Sequence, residues 1–237
     1  MPDSPRQNLL VAALPVEDYE RLLPDLGAVS LVAGTTVFDP GRTERCAYFP
    51  VSGLVSEYYT LESGATAGFL LSGNDGAVGI AAFLGGESVP SQSLVIAPGY
   101  AYRLGVDVFK RERKRDGRLV DLMLRYTQAL ITQMTQTAVC NRHHTLDQQL
   151  CRWLLLSLDR ISGDDLFMTQ ELIANMLGVR REGVTEAAFK LRKLGLISYA
   201  RGHICVLDRA GLEERACECY AVVKNEYERL LPDVVAA

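Results

Sequence analysis

Residues 169–193, TQELIANMLGVRREGVTEAAFKLRK, decide the fold of the C-terminal part of this chain. The stretch has the pattern of two short amphipathic helices joined by a tight turn. Thr169 is placed to cap the first helix, and Gly178 stands where the turn needs a left-handed backbone. Ala174 is small where the two helices cross closely. The pattern predicts a helix-turn-helix, whose second helix enters the major groove of DNA; an ordinary helical hairpin is the alternative.

The residues after the second helix predict a β-hairpin. Residues 196–200 and 203–207 have the pattern of two short strands, and Arg201 and Gly202 supply the turn between them. A hairpin in this position predicts the wing of a winged helix-turn-helix; a plain surface hairpin is the alternative. Arg201 is placed at the tip of the wing, where it would meet a DNA phosphate.

Composition limits the class of partner. The chain has 237 residues and a formal net charge of -4, which argues against a general coat for nucleic acid. It does not argue against a site-specific regulator, whose positive charge need only be local. No apolar run is long enough to span a bilayer, and the first residues, MPDSPRQ, lack the pattern of a signal peptide. We therefore expect a cytoplasmic protein without a membrane partner.

The N-terminal half has a different pattern, of short strands separated by glycine and proline. Candidate strands cover residues 29–32, 35–38, 46–50, 54–59, 67–71, 94–97 and 100–104, and a short helix is predicted at 15–23. This spacing predicts a compact antiparallel barrel or roll. The predicted fold class is α+β, with an N-terminal antiparallel β-roll of the double-stranded β-helix or jelly-roll type. A long dimerisation helix and the C-terminal winged helix-turn-helix follow it.

The longest helical segment, residues 119–140, is apolar on more than one side and must therefore be buried on more than one side. One side can cover the roll, and the other predicts a second copy of the helix in a homodimer; the central helix of a monomer is the alternative. The seam with coiled-coil spacing is Val120, Met123, Thr127, Leu130, Met134 and Thr137. The predicted domains are the roll at 1–117, the dimerisation helix and hinge at 118–142, and the DNA-binding domain with a helical extension at 143–237.

The six cysteines form no C-x-x-C pair and predict no disulfide framework. Cys217 and Cys219 are the only close pair, within a single helix predicted at 209–231 that ends at Pro232. Residues two apart on a helix point away from each other, so we expect no metal site there. The three histidines lie in no H-E-x-x-H context, and we do not expect an enzyme.

With these features, nearly the whole chain resembles the Crp–Fnr superfamily of bacterial transcription regulators. The resemblance rests on residues 168–170 (MTQ), 176–182 (MLGVRRE), 195–197 (GLI) and 201–202 (RG) in the DNA-binding part. In the roll it rests on residues 48–49 (YF), Gly53, residues 76–79 (GAVG) and residues 85–86 (GG). The resemblance implies a homodimer that binds double-stranded DNA at a palindromic site, with RNA polymerase as a further partner.

The predicted DNA contacts divide into base readers and phosphate contacts. Arg180 and Arg181 are assigned to base edges, where arginine pairs with guanine through two hydrogen bonds. Glu182 is assigned to a cytosine amino group and Thr185 to a thymine methyl group. The residues assigned to phosphates, which fix the register, are Thr169, Gln170, Lys190 and Arg201.

The effector is not identified by the sequence. Ala77 stands where family members that bind cyclic AMP have glutamate, and residues 88–93 (SVPSQS) lack their arginine, so we do not expect cyclic AMP. No cysteine precedes Cys46 and no histidine precedes His143, which disfavours an iron–sulfur cluster or haem. The candidate pocket for another small effector is Gly76, Val78, Gly79, Gly86, Glu87 and Gln128. The alternatives are a loop that merely packs and, for the protein, a module that acts through a protein partner without specific DNA binding. No cofactor is expected.

Overall fold

The computed structural model describes residues 4–115, 117–161, 163 and 165–231. A short N-terminal segment contains 3₁₀ turns at Pro5–Gln7 and Leu23–Asp25 and the helices α1 (Leu9–Ala12) and α2 (Val16–Leu22). Helix α2 confirms the helix predicted at 15–23. Pro232, the predicted end of the last helix, lies outside the described residues.

Two antiparallel sheets form the N-terminal roll. Its elements are β1 (Gly27–Leu31), β2 (Thr36–Phe38), β3 (Cys46–Pro50), β4 (Leu54–Thr60), β5 (Thr66–Ser72), α3 (Ile80–Leu84), β6 (Gln92–Ala97) and β7 (Gly99–Gly105). One sheet has the strand order β1-β7-β3 and the other β2-β6-β4-β5. Alternate side chains of these strands, among them Phe49, Leu54 and Leu104, are buried in the core. The predicted roll and its α+β class are confirmed.

The C-terminal half is mainly helical. It contains α4 (Val106–Arg115), α5 (Arg118–His143), α6 (Leu146–Leu158), β8 (Asp165–Phe167), α7 (Gln170–Leu177), α8 (Arg181–Lys193), β9 (Ile197–Ala200), β10 (His203–Val206), α9 (Arg209–Arg215) and α10 (Glu218–Leu230). Strands β9 and β10 are the predicted wing, and β8 adds a third strand to it in the order β8-β10-β9. Strand β8 was not predicted from the sequence. None of the described helices is long and apolar enough to cross a membrane.

Helix α5 connects the two halves and is packed on two sides by its own chain. Its 26 residues give a length of about 39 Å. The Tyr126 side chain is fully buried, and its hydroxyl donates to the Ala77 carbonyl (2.9 Å). The ring of Tyr227 from α10 meets the Tyr126 ring edge-on, with centroids 6.4 Å apart. The roll and α10 therefore cover the inner sides of this helix.

This packing corrects the predicted dimer seam. Met123 and Leu130 are buried within the single chain, so a second copy cannot reach them in this conformation. The other members of that seam, Val120, Thr127, Met134 and Thr137, are partly buried. The exposed side of α5 instead carries Leu124, Gln128, Ile131, Thr135 and Val139. The helix was correctly judged apolar on several sides, but the most apolar stripe faces the chain's own core.

The C-terminal extension also differs from the prediction. The single helix predicted at 209–231 is divided into α9 and α10. Ala216 (ψ 155°) and Cys217 (ψ 162°) have extended backbones, which no α-helix contains. Cys217 consequently occupies the N-cap position of α10 instead of a place inside a helix.

The DNA-binding half is docked on the roll. Thr66 of β5 donates through Oγ1 to the Asn175 carbonyl of α7 (3.1 Å). A Cβ at Gly68 would lie 2.9 Å from the Met176 carbonyl, so only glycine permits this approach of β5 to α7. Farther along, the buried Arg160 pairs with Asp75 of the roll (3.0 Å). These contacts hold the helix-turn-helix against the roll of the same chain.

Candidate nucleic-acid interface

Helices α7 and α8 form the predicted helix-turn-helix. The Thr169 hydroxyl accepts a hydrogen bond from the Leu172 amide (3.1 Å), which caps α7. Gly178 ends α7 with φ 68° and ψ 34°, the left-handed conformation that the turn requires. Ala174 is buried at the helix crossing. The residues on which the sequence prediction depended therefore have the structural roles assigned to them.

Helix α8 has one buried and one exposed side. Val184, Ala187, Ala188 and Leu191 are buried against α6 and α7. The outer side carries a row at helical spacing that consists of Arg181, Thr185, Phe189 and Arg192, all exposed. This is the side that a DNA groove can reach.

A concave surface lies between the starts of α7 and α8 and the wing. It is lined by Thr169, Gln170, Glu171, Arg181, Tyr199, Ala200, Arg201 and Gly202. The Thr185 hydroxyl donates to the Gln170 side-chain carbonyl (2.7 Å), which joins the two helices at the edge of this surface. Two arginines and the N-terminal amides of α7 give it the donors that bind phosphate oxygens.

The tip of the wing has a backbone conformation that most residues avoid. Arg201 (φ 51°) and Gly202 (φ 79°) both have positive φ angles, as in a two-residue hairpin turn of type I′. A non-glycine residue in this region carries a conformational cost that often marks a functional position. The Arg201 side chain is exposed beside the concave surface.

Seven of the eight predicted DNA contacts lie on this side of the domain or at its edge. The concave surface is lined by Thr169, Gln170, Arg181 and Arg201, and Thr185 is hydrogen-bonded to Gln170 at its edge. Arg180 and Glu182 are exposed at the start of α8. Lys190 is the exception. Its ammonium lies 3.1 Å from the Glu186 carboxylate and 3.5 Å from that of Asp147 in α6, so its charge is directed toward α6.

Sequence reasoning missed two aromatic residues. Tyr199 lines the concave surface and donates through its hydroxyl to the Met168 carbonyl (3.2 Å). The Phe189 side chain is 55% exposed on α8, under the Arg192 guanidinium at 5.5 Å. The spacing of positions 181, 185, 189 and 192 could have identified Phe189 from the sequence, because these positions share one side of a helix.

The predicted effector residues are not brought together. Gly76 lies against the Tyr126 ring, and the Val78 backbone bonds to that of Tyr48 in both directions (2.8 Å each). Gly79 is the N-cap of α3, while Gly86 and Glu87 are exposed and Gln128 lies on the outer side of α5. Glu87 lines a cavity together with Thr43, Glu44, Arg45, Ala81, Ala82, Gly85, Val106 and Lys110. Gly76 and Val78 are thus packed against Tyr126 and Tyr48.

The charged side chains that line this cavity are two acidic and two basic ones, Glu44, Glu87, Arg45 and Lys110. The Glu44 carboxyl group is buried, and burial raises its pKa, while the backbone amides of Ala81 and Ala82 in the first turn of α3 act in the opposite direction. Burial, and then the charge of Glu44, raise the pKa of Glu57 on β4 to about 7.

The chain thus combines a β-roll, a long connecting helix and a winged helix-turn-helix with exposed arginines on α8. Residues 148–215 match the family described as the Crp-like helix-turn-helix domain. The resemblance to the Crp–Fnr superfamily that the sequence suggested is confirmed for the DNA-binding part by this match. No curated protein sequence matches the chain.

Solved structures share this fold over most of their length. A transcriptional regulator of the crp/fnr family from Eubacterium rectale has 17% identity and a TM-score of 0.67, covering 89% of this chain and 98% of its own. FixK2 from Bradyrhizobium japonicum has 16% identity and a TM-score of 0.69, covering 81% and 98%. A CRP-family regulator from Thermus thermophilus has 20% identity and a TM-score of 0.67, covering 79% and 96%.

Proposed function

We propose that this protein is a sequence-specific DNA-binding regulator that acts as a homodimer on a palindromic site. The observation that carries the proposal is the exposed row on α8 beside the donor-rich concave surface. Arg180 and Arg181 at the start of α8 read base edges, with Glu182 and Thr185 beside them. Thr169, Gln170 and Arg201 contact phosphates. Lys190, held by two carboxylates, contributes less than the sequence suggested.

The second copy is proposed to pair along the exposed side of α5. Leu124 and Ile131 are 52% and 54% exposed and lie seven residues apart, the repeat of a coiled coil. Gln128, Thr135 and Val139 extend the same side. Burying this side would remove from water the large apolar side chains that α5 leaves exposed, and two-fold symmetry would place two recognition helices on a palindrome.

The effector proposed here is not cyclic AMP. Glu44 lines the cavity beside α3, and its charge raises the pKa of the buried Glu57. An anionic phosphate in this cavity would approach the Glu44 carboxyl group. We propose the cavity beside Glu44 as the site of a small ligand, which changes DNA binding only if it favours one arrangement of the two halves. RNA polymerase is a further proposed partner, and no membrane partner is proposed.

The test uses duplexes enriched from a random-sequence pool and measures dissociation constants by fluorescence anisotropy. Arg181→Ala should weaken specific binding by about 1–3 kcal/mol and relax the preference at one base position. Arg201→Ala should weaken binding to all duplexes alike and lower the salt dependence by about one phosphate contact. Arg111→Ala, an exposed position on α4, is the control. The alternative function, regulation through a protein partner, predicts no salt-dependent specific binding at all.

A further inference from the structure

Four side chains that ligate metals meet where α5, α9 and α10 come together. Cys140 lies in the last turn of α5, His144 follows at its C-cap, and Cys217 and Cys219 begin α10. One ligand atom from each residue, three Sγ and an imidazole nitrogen, lies within 4.8 Å of the others. The three cysteines are buried. We propose that Cys140, His144, Cys217 and Cys219 bind a single structural Zn²⁺ ion.

The distances suit one tetrahedral ion. Zn–S bonds of about 2.3 Å and Zn–N bonds of about 2.0 Å place tetrahedral ligand atoms about 3.5–3.8 Å apart. The Sγ atoms of Cys140 and Cys217 are 3.5 Å apart, and Cys219 Sγ lies 3.6 Å from His144 Nδ1. An iron–sulfur cluster needs room for several iron and sulfide atoms between its ligands, which this spacing does not give.

The break between α9 and α10 makes the site possible. On a continuous helix Cys217 and Cys219 would point apart, which was the reason to expect no metal there. Cys217 instead has extended backbone angles (φ -77°, ψ 162°) at the N-cap, and only Cys219 lies within the helix. Both thiols therefore face the end of α5, where Cys140 and His144 are four residues apart and on one side.

The surroundings complete the site in the way that zinc sites are usually supported. His144 Nε2 lies 3.3 Å from the Glu218 carboxylate, so the ring can donate its second N–H to a carboxylate while Nδ1 binds the ion. Three thiolates, a neutral imidazole and Zn²⁺ carry a net charge of about -1. Arg152 is buried, and its guanidinium interacts electrostatically with all three cysteines. Among the described residues its Nε has no hydrogen-bond partner. Its positive charge balances that of the complex.

Binding releases the thiol protons to solvent, because thiolates are the ligands, and no electron is transferred. The ion joins the end of the long helix to the start of α10, next to the hinge before α6. Helix α10 already packs along α5. The site thus fixes the C-terminal extension to α5, a role that the sequence did not indicate.

The first experiment measures metal in the full chain purified without oxygen and without chelators. The proposal predicts one zinc per chain. After zinc removal under reducing conditions, titration with Co²⁺ should saturate at one ion per chain and produce the thiolate-to-cobalt absorption and the visible bands of a tetrahedral site. A folded chain that binds neither ion would overturn the proposal, and so would iron with acid-labile sulfide in place of zinc.

Variants assign the ligands. Cys219→Ser and His144→Ala should each weaken Co²⁺ binding by more than about 100-fold, and Glu218→Gln by about 10–100-fold. Cys46→Ser, on β3 and outside the cluster, should bind like the parent chain. Co²⁺ binding that is unchanged in Cys219→Ser would overturn the assignment. The titration of the parent chain decides the proposal even where a variant does not fold.

Discussion

Glu57 lies on β4 with its side chain buried in the roll, 9% exposed, and its pKa is raised to about 7 from 4.5. Burial is the first cause, and the charge of Glu44 adds to it. Well below pH 4.5 the folded and unfolded chains both hold the proton, and ionisation of the group then contributes nothing to the free energy of unfolding. Between pH 4.5 and 7 the unfolded chain loses the proton first, so stability falls as the pH rises.

The magnitude follows from this interval. About 2.5 pH units at about 1.4 kcal/mol per unit correspond to about 3 kcal/mol. Glu57→Gln removes the ionisation and keeps the shape. The variant should therefore exceed the parent chain in free energy of unfolding by about 3 kcal/mol at pH 8 and by about 1 kcal/mol at pH 5.

The assay is urea unfolding followed by far-ultraviolet circular dichroism at both pH values, with Glu62→Gln as control on an exposed carboxyl group. The control should change the free energy of unfolding by less than about 0.5 kcal/mol. An advantage of Glu57→Gln that is equal at pH 5 and pH 8 would refute the reasoning, because the effect would not then come from ionisation.

Three further predictions concern the packing of the two halves, the assembly and the wing. Asp75→Ala leaves Arg160 buried without its partner and should lower the free energy of unfolding by about 3–5 kcal/mol, while adding Arg160→Met should recover most of the loss. Fluorescence of Trp153, the only tryptophan, reports this change during urea unfolding, and a double variant no better than the single one would contradict it. Ile131→Glu should convert a dimer to a monomer in sedimentation velocity, whereas Val222→Glu, at an exposed apolar residue of α10, should not. If both variants remain dimers, the exposed side of α5 is not the dimer interface. Arg201→Val should lower the thermal midpoint, because a β-branched residue tolerates a positive φ poorly, and Arg201→Asn should not; equal midpoints would argue against strain in the turn.

Local signals explain why the helix-turn-helix was predictable. A cap such as Thr169 and a left-handed residue such as Gly178 act within a few residues of the chain, and the structure uses both as the sequence suggests. The strands of the roll were found for the same reason, since turns with glycine or proline separate them. These features depend on backbone chemistry that a short stretch of sequence contains.

Contacts between distant residues were not predictable in this way. Helix α5 is apolar on several sides, and its sequence does not tell which stripe meets the chain's own Tyr227 and which remains exposed. Similarly, residues 209–231 have a continuous helical pattern, yet the chain breaks it at Ala216 and Cys217. The break brings two cysteines to Cys140, 77 positions earlier in the chain, a proximity that only the tertiary structure shows.

The most direct test of the proposed function, sequence-specific DNA binding by a homodimer, is selection of duplexes from a random-sequence pool. The purified full chain is used without added ligand, and the selected duplexes are sequenced. A dimeric regulator with paired α8 helices should enrich a motif with two-fold symmetry, whose half-sites lie about one helical turn, 34–36 Å, apart. The chain with Arg180→Ala and Arg181→Ala should not enrich that motif. A folded dimer that enriches no motif, or an enrichment that survives the loss of both arginines, would contradict the claim.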